Sequence, residues 1–223
     1  MTLTPEHWIW NRAKLDSEPQ LDFAADCPTV WLARLTDDSR ILAHLLSLLS
    51  EDERLRLERF QVREDQHRFL IGRGLLRRFV GRYLNVPAKS VEFHHGPFGK
   101  PSVLARAGQP ALPFNVSHSG QLVLLAFHER QAVGVDVEEM RQELDWREIA
   151  RGMFPLPTYQ YLLDSNPENG LPAFYQAWTR HEAGLKTVGR GLGERAEANP
   201  DSRLSAFDLQ LPAGYQGAVA LAQ

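Results

Sequence analysis

The sequence contains a single cysteine, Cys27, among its 223 residues. One cysteine excludes a disulfide framework, and the lack of a CxxC pair or a Cys/His cluster argues against structural zinc. No apolar run reaches the roughly 20 residues of a membrane-spanning helix, and the first residues lack the apolar stretch of a signal peptide. From these absences we expect a cytoplasmic protein with no membrane association.

An excess of positive charge is also missing, because 25 lysine and arginine residues face 28 acidic residues, for a formal net charge of −3. Nine arginines nevertheless lie between Arg54 and Arg82. Acidic residues interrupt this run and no stacking aromatics accompany it, so nucleic-acid binding is disfavoured. We expect most of these arginines on a solvated helix face, paired with Glu58, Glu64 and Asp65.

With 43% hydrophobic residues the chain can bury a core, and its patterning mixes helices with strands. A capping-box pattern at Ser50 to Glu53 predicts a helix start, and Asn85 with Pro87 predicts a helix end. We expect a loop over residues 164–172. The predicted helices cover residues 41–49, 64–84, 146–153 and 173–188. The predicted strands cover residues 30–35, 91–93, 121–127, 133–138, 204–211 and 217–222.

Residues 133–138 read VGVDVE, so three valines alternate with Gly134, Asp136 and Glu138. This period of two predicts a strand whose valines are buried and whose two carboxylates lie side by side. Adjacent carboxylates repel each other unless a cation lies between them, and Mg²⁺ is a hard cation that prefers such ligands. A lone Asp-x-Glu is explained equally well by a strand end whose acidic side chains face water. Other residues of the chain must therefore distinguish a metal site from an exposed strand end.

Further polar residues surround this strand in the sequence. A hairpin of residues 121–127 with 133–138 would bring His118 close to Asp136 and Glu138. His118 could equally be a core histidine satisfied by a neighbour. Lys100, in a loop rich in glycine and proline, suits either a phosphate contact or a surface turn.

Glu182 and Lys186 lie four residues apart in the last predicted helix and therefore share one face. They can form an exposed ion pair of a few tenths of a kcal/mol. With Asp136 and Glu138, however, Glu182 supplies a third carboxylate for an octahedral Mg²⁺ that stays open to water and substrate phosphates. Lys186 can then neutralise charge that develops on a phosphate.

Three blocks of sequence resemble those of a known family in order and interval: residues 114–120 (FNVSHSG), 133–138 (VGVDVE) and 178–186 (WTRHEAGLK), the last followed by Gly189 and by 191–192. The family is the 4'-phosphopantetheinyl transferase superfamily, in its larger, surfactin-synthetase-activating type. Weaker matches are Phe60 to Arg68, then Gly72, and residues 98–101. The resemblance covers about residues 50–193.

This resemblance implies an α+β fold of two similar halves related by a pseudo-twofold axis, working as a monomer. We place the halves at residues 1–119, with coenzyme A phosphate contacts, and 120–223, with the metal site. The implied reaction transfers the 4'-phosphopantetheine arm of coenzyme A to a serine of an apo acyl or peptidyl carrier protein. It releases adenosine 3',5'-bisphosphate and depends on Mg²⁺, for which Mn²⁺ is a possible substitute.

The resemblance also implies roles for individual residues. The metal ligands would be Asp136, Glu138 and Glu182, and the catalytic residues Glu182 and Lys186, with Glu182 as metal ligand, serine base or both. The residues that contact coenzyme A would be Arg56, Arg68, Lys100, Pro101, Ser117, His118 and Lys186.

The sequence departs from the family pattern at three positions. His181 precedes the helix glutamate where lysine is common, Gly184 lies inside the helix, and Glu53 replaces a basic residue. These departures leave open a catalytically inactive module that binds coenzyme A and carrier protein. A Mg²⁺-dependent pyrophosphate hydrolase, with water in place of the serine, is a second alternative.

Overall fold

The computed structural model describes residues 2–8, 27–96, 99–103, 111–164, 167–189 and 204–222. Within these residues, helices and strands mix along the chain in an α+β fold. The helices are α1 (Ser39–Leu48), α2 (Glu51–Glu58), α3 (Arg63–Leu84), α4 (Trp146–Met153), α5 (Leu156–Asp164) and α6 (Pro167–Val188). The strands are β1 (Thr2–Leu3), β2 (Glu6–Trp8), β3 (Thr29–Arg34), β4 (His94–His95), β5 (Pro101–Ser102), β6 (Phe114–Ser119), β7 (Leu122–Phe127), β8 (Val133–Glu139), β9 (Leu204–Leu209) and β10 (Tyr215–Ala222).

Eight of these strands form two sheets of four. The first sheet has the order β2-β3-β7-β6 and the second has the order β1-β9-β10-β8. Side chains alternate between the faces of each strand, so Val30 and Leu32 pack towards the second sheet while Trp31 and Ala33 pack towards α3. The two sheets therefore share one hydrophobic layer between them.

Each sheet carries one helix of 22 residues on its other face. Helix α3 packs on the first sheet through Leu75, Phe79 and their neighbours. Helix α6 packs on the second sheet, where Ala183 lies against Ala218 and Ala220. The result is a helix–sheet–sheet–helix stack, with α4 and α5 packed beside α6 around Phe174.

The predicted hairpin of β7 with β8 is wrong. Strand β7 pairs with β6 across a tight turn at Gly120, whose φ is +51°, and with β3 on its other side. Because both edges of β7 are used, the chain crosses to the second sheet, where β8 pairs with β10. The expected closeness of the two segments survives, because β6 and β8 lie side by side as edges of different sheets.

Other predicted boundaries are corrected as well. Helix α6 begins at Pro167, inside the predicted loop over 164–172, because proline is favourable in a first helical turn. Residues 91–93 form no strand, and the short pairing that follows joins His94 and His95 to Pro101 and Ser102. Strand β9 ends at Leu209, and β10 starts earlier than predicted, at Tyr215.

The arginine run is less exposed than predicted. Arg77 is 2% exposed, and its Nε donates to the buried carboxylate of Glu53 at 2.6 Å. Its Nη1 also donates to the carbonyls of Ala88 and Val91, at 3.1 Å and 3.0 Å. Glu53 accepts the Ser50 N–H as well, in the predicted capping box. This departure from the family pattern is therefore half of a buried ion pair that joins α2 to α3.

Among the described helices, none combines the length and the apolar character needed to cross a lipid bilayer.

Candidate active site

The site is built where α6 packs closely on β8, at Gly134. A Cβ atom at this position would lie 2.1 Å from the Ala183 carbonyl oxygen, a distance that no side chain tolerates. Glycine therefore lets the helix lie directly on the strand. This contact sets Asp136, two residues further on the same face of β8, against the side of α6 that carries Lys186.

Three side chains from three elements converge at this point. The Lys186 ammonium contacts Asp136 Oδ1 at 2.5 Å and donates to Ser117 Oγ at 3.1 Å. Ser117 Oγ in turn donates to Asp136 Oδ1 at 3.0 Å. Three of the candidate site residues therefore lie together, Ser117 from the first sheet and the other two from the second sheet and its helix.

Polar side chains on β6 bridge the gap between the two sheets at every second residue. The backbone N–H groups of Val135, Val137 and Glu139 donate to Asn115 Oδ1, Ser117 Oγ and Ser119 Oγ, at 2.9, 3.3 and 3.1 Å. We call these three bonds the side-chain ladder. Ser119 Oγ also donates to Glu138 Oε2 at 2.9 Å. The ladder therefore fixes β8, and both of its candidate metal ligands, against the first sheet.

The two β8 carboxylates lie in a setting that disfavours negative charge. Burial raises the pKa of Asp136, against the opposing effects of Lys186 and of the hydrogen bond from Ser117. Burial also raises the pKa of Glu138, and the neighbouring charge of Asp136 raises it further. A buried and a partly buried carboxylate that repel each other are stabilised by any cation that binds between them.

Glu182, the third candidate ligand, is 1% exposed on α6, one turn before Lys186. In the described part of the chain, no three acidic, histidine or cysteine side chains form a group arranged to hold a metal ion. Asp136 nevertheless suits Mg²⁺, since its Oδ2 is buried without a hydrogen-bond partner among the described residues. A buried carboxylate oxygen in that state is a ready ligand for a hard cation.

Arg68 and His118 form a second group beside the turn between β6 and β7. Arg68 donates to the Gly120 carbonyl at 2.8 Å and to Asp65 at 2.5 Å. His118 reaches the surface, but surrounding protein displaces much of its water, which together with the Arg68 charge lowers the pKa of the imidazole. The structure thus brings together two of the predicted anion contacts.

Lys100 and Pro101 line a cavity of about 550 Å³ with Phe114, Arg130 and Val188. The Lys100 ammonium does not lie free in this cavity, because it donates to the carbonyls of Val133, Lys186 and Thr187 at 3.1, 2.6 and 3.1 Å. Burial lowers the pKa of Lys100 to about 8. Neither predicted environment, a phosphate loop or a surface turn, describes this side chain.

Arg56 lies apart from the other predicted coenzyme contacts. It lines a separate cavity of about 580 Å³ on α2, with Leu55, Arg59 and Phe60. Its guanidinium stacks over the Phe69 ring, 5.1 Å from the centroid. The candidate coenzyme residues are therefore distributed over two cavities, the contact of Lys186 with Ser117, and the end of β6 that carries His118.

Two functional arrangements were missed by sequence reasoning. The ladder had a signal, since Asn115, Ser117 and Ser119 alternate with the same period as the acidic face of β8. The contacts of Lys100 had none, because its partners are backbone carbonyls, which every residue carries.

Two family models match the chain. Residues 36–130 match "4'-phosphopantetheinyl transferase, N-terminal", and residues 132–215 match "4'-phosphopantetheinyl transferase superfamily". The chain is 34% identical to the 4'-phosphopantetheinyl transferase HetI of Nostoc sp. over 183 residues, which are 82% of this chain and 77% of HetI. It is 33% identical to the 4'-phosphopantetheinyl transferase Sfp of Bacillus subtilis over 150 residues, 66% of this chain and 63% of Sfp. The chain therefore belongs to the 4'-phosphopantetheinyl transferase superfamily, in the Sfp-like group of these enzymes.

Proposed function

We propose that this protein transfers the 4'-phosphopantetheine arm of coenzyme A to a serine hydroxyl of an apo acyl or peptidyl carrier protein. The contact of Lys186 with Asp136 and Ser117 supports the proposal most, because it joins a cation to a buried carboxylate where the two sheets meet. The names of the related transferases support the same reaction.

In the proposed reaction, the serine oxygen bonds to the β-phosphorus of coenzyme A as the bond from that phosphorus to the bridging oxygen breaks. Adenosine 3',5'-bisphosphate leaves with the electron pair of the broken bond. The serine proton passes to Glu182, directly or through water. Because the protein forms no covalent bond, its contribution is positioning and electrostatic stabilisation.

Asp136, Glu138 and Glu182 are the proposed ligands of Mg²⁺, for which Mn²⁺ is an alternative. When bound, the ion would offset negative charge on the phosphates. Lys186 stabilises or protonates the leaving group, and its ammonium is already held towards the site by Ser117 and Asp136.

Coenzyme A contacts are assigned to the remaining predicted residues. Arg68 and His118 would hold phosphate groups, notably the 3'-phosphate, with Ser117 beside them. Lys100 and Pro101 line the cavity proposed for the nucleotide, with Lys100 as part of its wall and not as a phosphate ligand. Arg56 would contact the coenzyme from the separate cavity on α2.

The proposal extends to the whole molecule. It includes a monomer in the cytoplasm, with two halves related by a pseudo-twofold axis and divided near residues 119 and 120. The two sheets that each carry a 22-residue helix support the pseudo-twofold axis, although β7, beyond that division, pairs within the first sheet. Two exposed apolar surfaces are candidates for carrier docking. One contains Leu156 and Tyr161 on α5, and the other contains Leu55 on α2 and Val62.

The proposal is tested by intact-protein mass spectrometry of an apo acyl carrier protein incubated with the protein, coenzyme A and Mg²⁺. We expect the carrier to gain the mass of one phosphopantetheine. EDTA and Glu182→Gln should each abolish the gain, because Glu182 is assigned both to the metal and to the serine proton. Glu92→Gln, the same change at an exposed position, should leave the gain intact.

The alternatives give different results in the same assay. Coenzyme A binding with no mass gain on fatty-acid, polyketide and peptide carriers would contradict the proposal and favour an inactive binding module. Release of adenosine bisphosphate without any carrier protein would identify a hydrolase.

A further inference from the structure

The Lys100 ammonium lies at the end of α6 although Lys100 is 86 residues away from Lys186 in sequence. A hydrogen bond from the Gly96 N–H to the Lys100 carbonyl, 3.0 Å long, and the pairing of β4 with β5 hold the backbone at Lys100. The side chain therefore starts from a fixed backbone position and extends to the end of α6.

The ammonium makes as many hydrogen bonds as it has protons. Two of its acceptors, the carbonyls of Lys186 and Thr187, belong to the last turn of α6, where helical carbonyls lack a partner within the helix. A cation at this end also interacts favourably with the helix dipole. The third acceptor is the Val133 carbonyl at the start of β8, so one group joins the end of the helix to the start of the strand.

Lys186 is consequently held at both of its ends by residues from the first half of the molecule. Its backbone carbonyl accepts from Lys100, and its ammonium donates to Ser117. The backbone bond fixes where the side chain starts, and the bonds to Ser117 and Asp136 fix where its charge lies.

We propose that Lys100 is a positioning residue: its ammonium fixes the last turn of α6 and thereby the position of Lys186. In this proposal the Lys100 ammonium is not a ligand of a coenzyme phosphate. This inference rests on the proposed transferase function, in which Lys186 acts on the leaving group. Lys186 must lie close to the charge that develops on the leaving group, and a small displacement of such a side chain lowers the reaction rate. A fixed backbone position at Lys186 therefore favours catalysis.

Kinetics of three variants test the inference. Lys100→Met keeps the length of the side chain but removes the ammonium, Lys100→Arg keeps a cation with several donors, and Lys89→Met removes an exposed lysine elsewhere. For Lys100→Met we expect kcat to fall about tenfold or more while KM for coenzyme A changes less than about threefold. Lys100→Arg should recover part of kcat, and Lys89→Met should behave as the unchanged protein.

Amide hydrogen exchange supplies a readout that needs no turnover. In Lys100→Met, exchange should speed up in the last turn of α6, with the rest of the helix unchanged. This measurement also shows whether the variant is folded. If the unchanged protein transfers no phosphopantetheine, the proposed function fails, and the exchange data still decide whether Lys100 orders the end of α6.

Two results would overturn the inference. A rise of about tenfold in KM for coenzyme A at constant kcat would make Lys100 a ligand of the coenzyme. Unchanged kcat together with unchanged exchange would show that the end of α6 is ordered without Lys100.

Discussion

The Ser117 hydroxyl uses its full hydrogen-bonding capacity at the centre of the site. Its one proton goes to Asp136, and its two lone pairs accept from Lys186 and from the Val137 N–H. A hydroxyl whose three bonds point in set directions fixes the position of both charged partners. Ser117 therefore belongs to the charged site itself as well as to the predicted lining of the nucleotide pocket.

Ser119 offers a test of the ladder that leaves the charged groups in place. In Ser119→Ala, Glu138 loses a donor and the Glu139 N–H loses its acceptor. We expect the free energy of unfolding to fall by about 1–2 kcal/mol, since two partly buried groups lose a partner. The midpoint of the Mg²⁺ titration of activity should rise, because Glu138 is less well oriented.

Urea unfolding and a Mg²⁺ titration measure these two effects. Ser47→Ala is a matched control, since Ser47 is exposed on α1 and the bond described for its hydroxyl goes to the nearby His44 carbonyl. Equal stability and an equal Mg²⁺ midpoint in Ser119→Ala and the unchanged protein would rule out this role for Ser119.

Sequence reasoning at the residue scale reached the carboxylates and Lys186 because their spacing places them on defined faces. It did not find the buried pair of Glu53 and Arg77, because a buried arginine and an exposed one look alike in a helical pattern. It placed Arg68 beside His118 only through the family resemblance. Whether these residues bind coenzyme A stays a prediction.

At the scale of elements, the site depends on the close contact between α6 and β8. In Gly134→Ala the new methyl group would meet the Ala183 carbonyl and the Thr187 N–H, which belong to the helix backbone and cannot turn aside. The helix must then move away from the strand. We expect a loss of about 1–3 kcal/mol or more of stability, as in other overpacked cores, together with a loss of activity.

Gly152→Ala is the matched control for this prediction. Gly152 lies in α4 with open space around its Cβ position, so alanine should be neutral or should stabilise the protein by up to about 1 kcal/mol. Thermal and urea unfolding compare the two variants. Similar stability of Gly134→Ala and the unchanged protein would mean that α6 and β8 can separate at little cost.

The elements themselves were largely predictable, because helix periodicity, the capping box and Asn85 as a left-handed C-cap are local signals. The pairing of β7 was not, because two apolar strands joined by a short turn read as a hairpin. One edge of β7 pairs with β3, which lies about 90 residues away in the chain. No local sequence pattern indicates that this edge is occupied.

At the scale of the whole molecule, Lys100 makes stability depend on pH, because burial shifts its pKa on folding. Its pKa is about 8 in the folded protein, below the ordinary value of 10.5. Between these values the unfolded chain binds the proton and the folded chain does not, so the contribution of Lys100 to the free energy of unfolding rises with pH. The cost of the buried charge is fully present below pH 8.

Urea unfolding at a series of pH values tests this linkage. The stability of the unchanged protein minus that of Lys100→Met should increase from pH 8 towards pH 10.5. Lys89→Met, which changes an exposed lysine in the same way, is measured beside it as the matched control. A constant difference for Lys100 would mean that its pKa is ordinary in the folded protein.

The α+β class and the adjacency of residues 114–120 to 133–138 could be predicted for the molecule as a whole. The stacking of two sheets through Val30, Leu124 and Val135 could not, because an alternating strand shows that one face is buried and does not name what covers it.

The side-chain ladder lies between the edge strands β6 and β8, the last strands of their respective sheets. An edge strand normally presents a row of backbone groups to which a strand from another molecule can add. Here the outward N–H groups of β8 are occupied by Asn115, Ser117 and Ser119. Separation of the two sheets would expose both edge strands to solvent at the same time, and exposed edge strands are templates for aggregation.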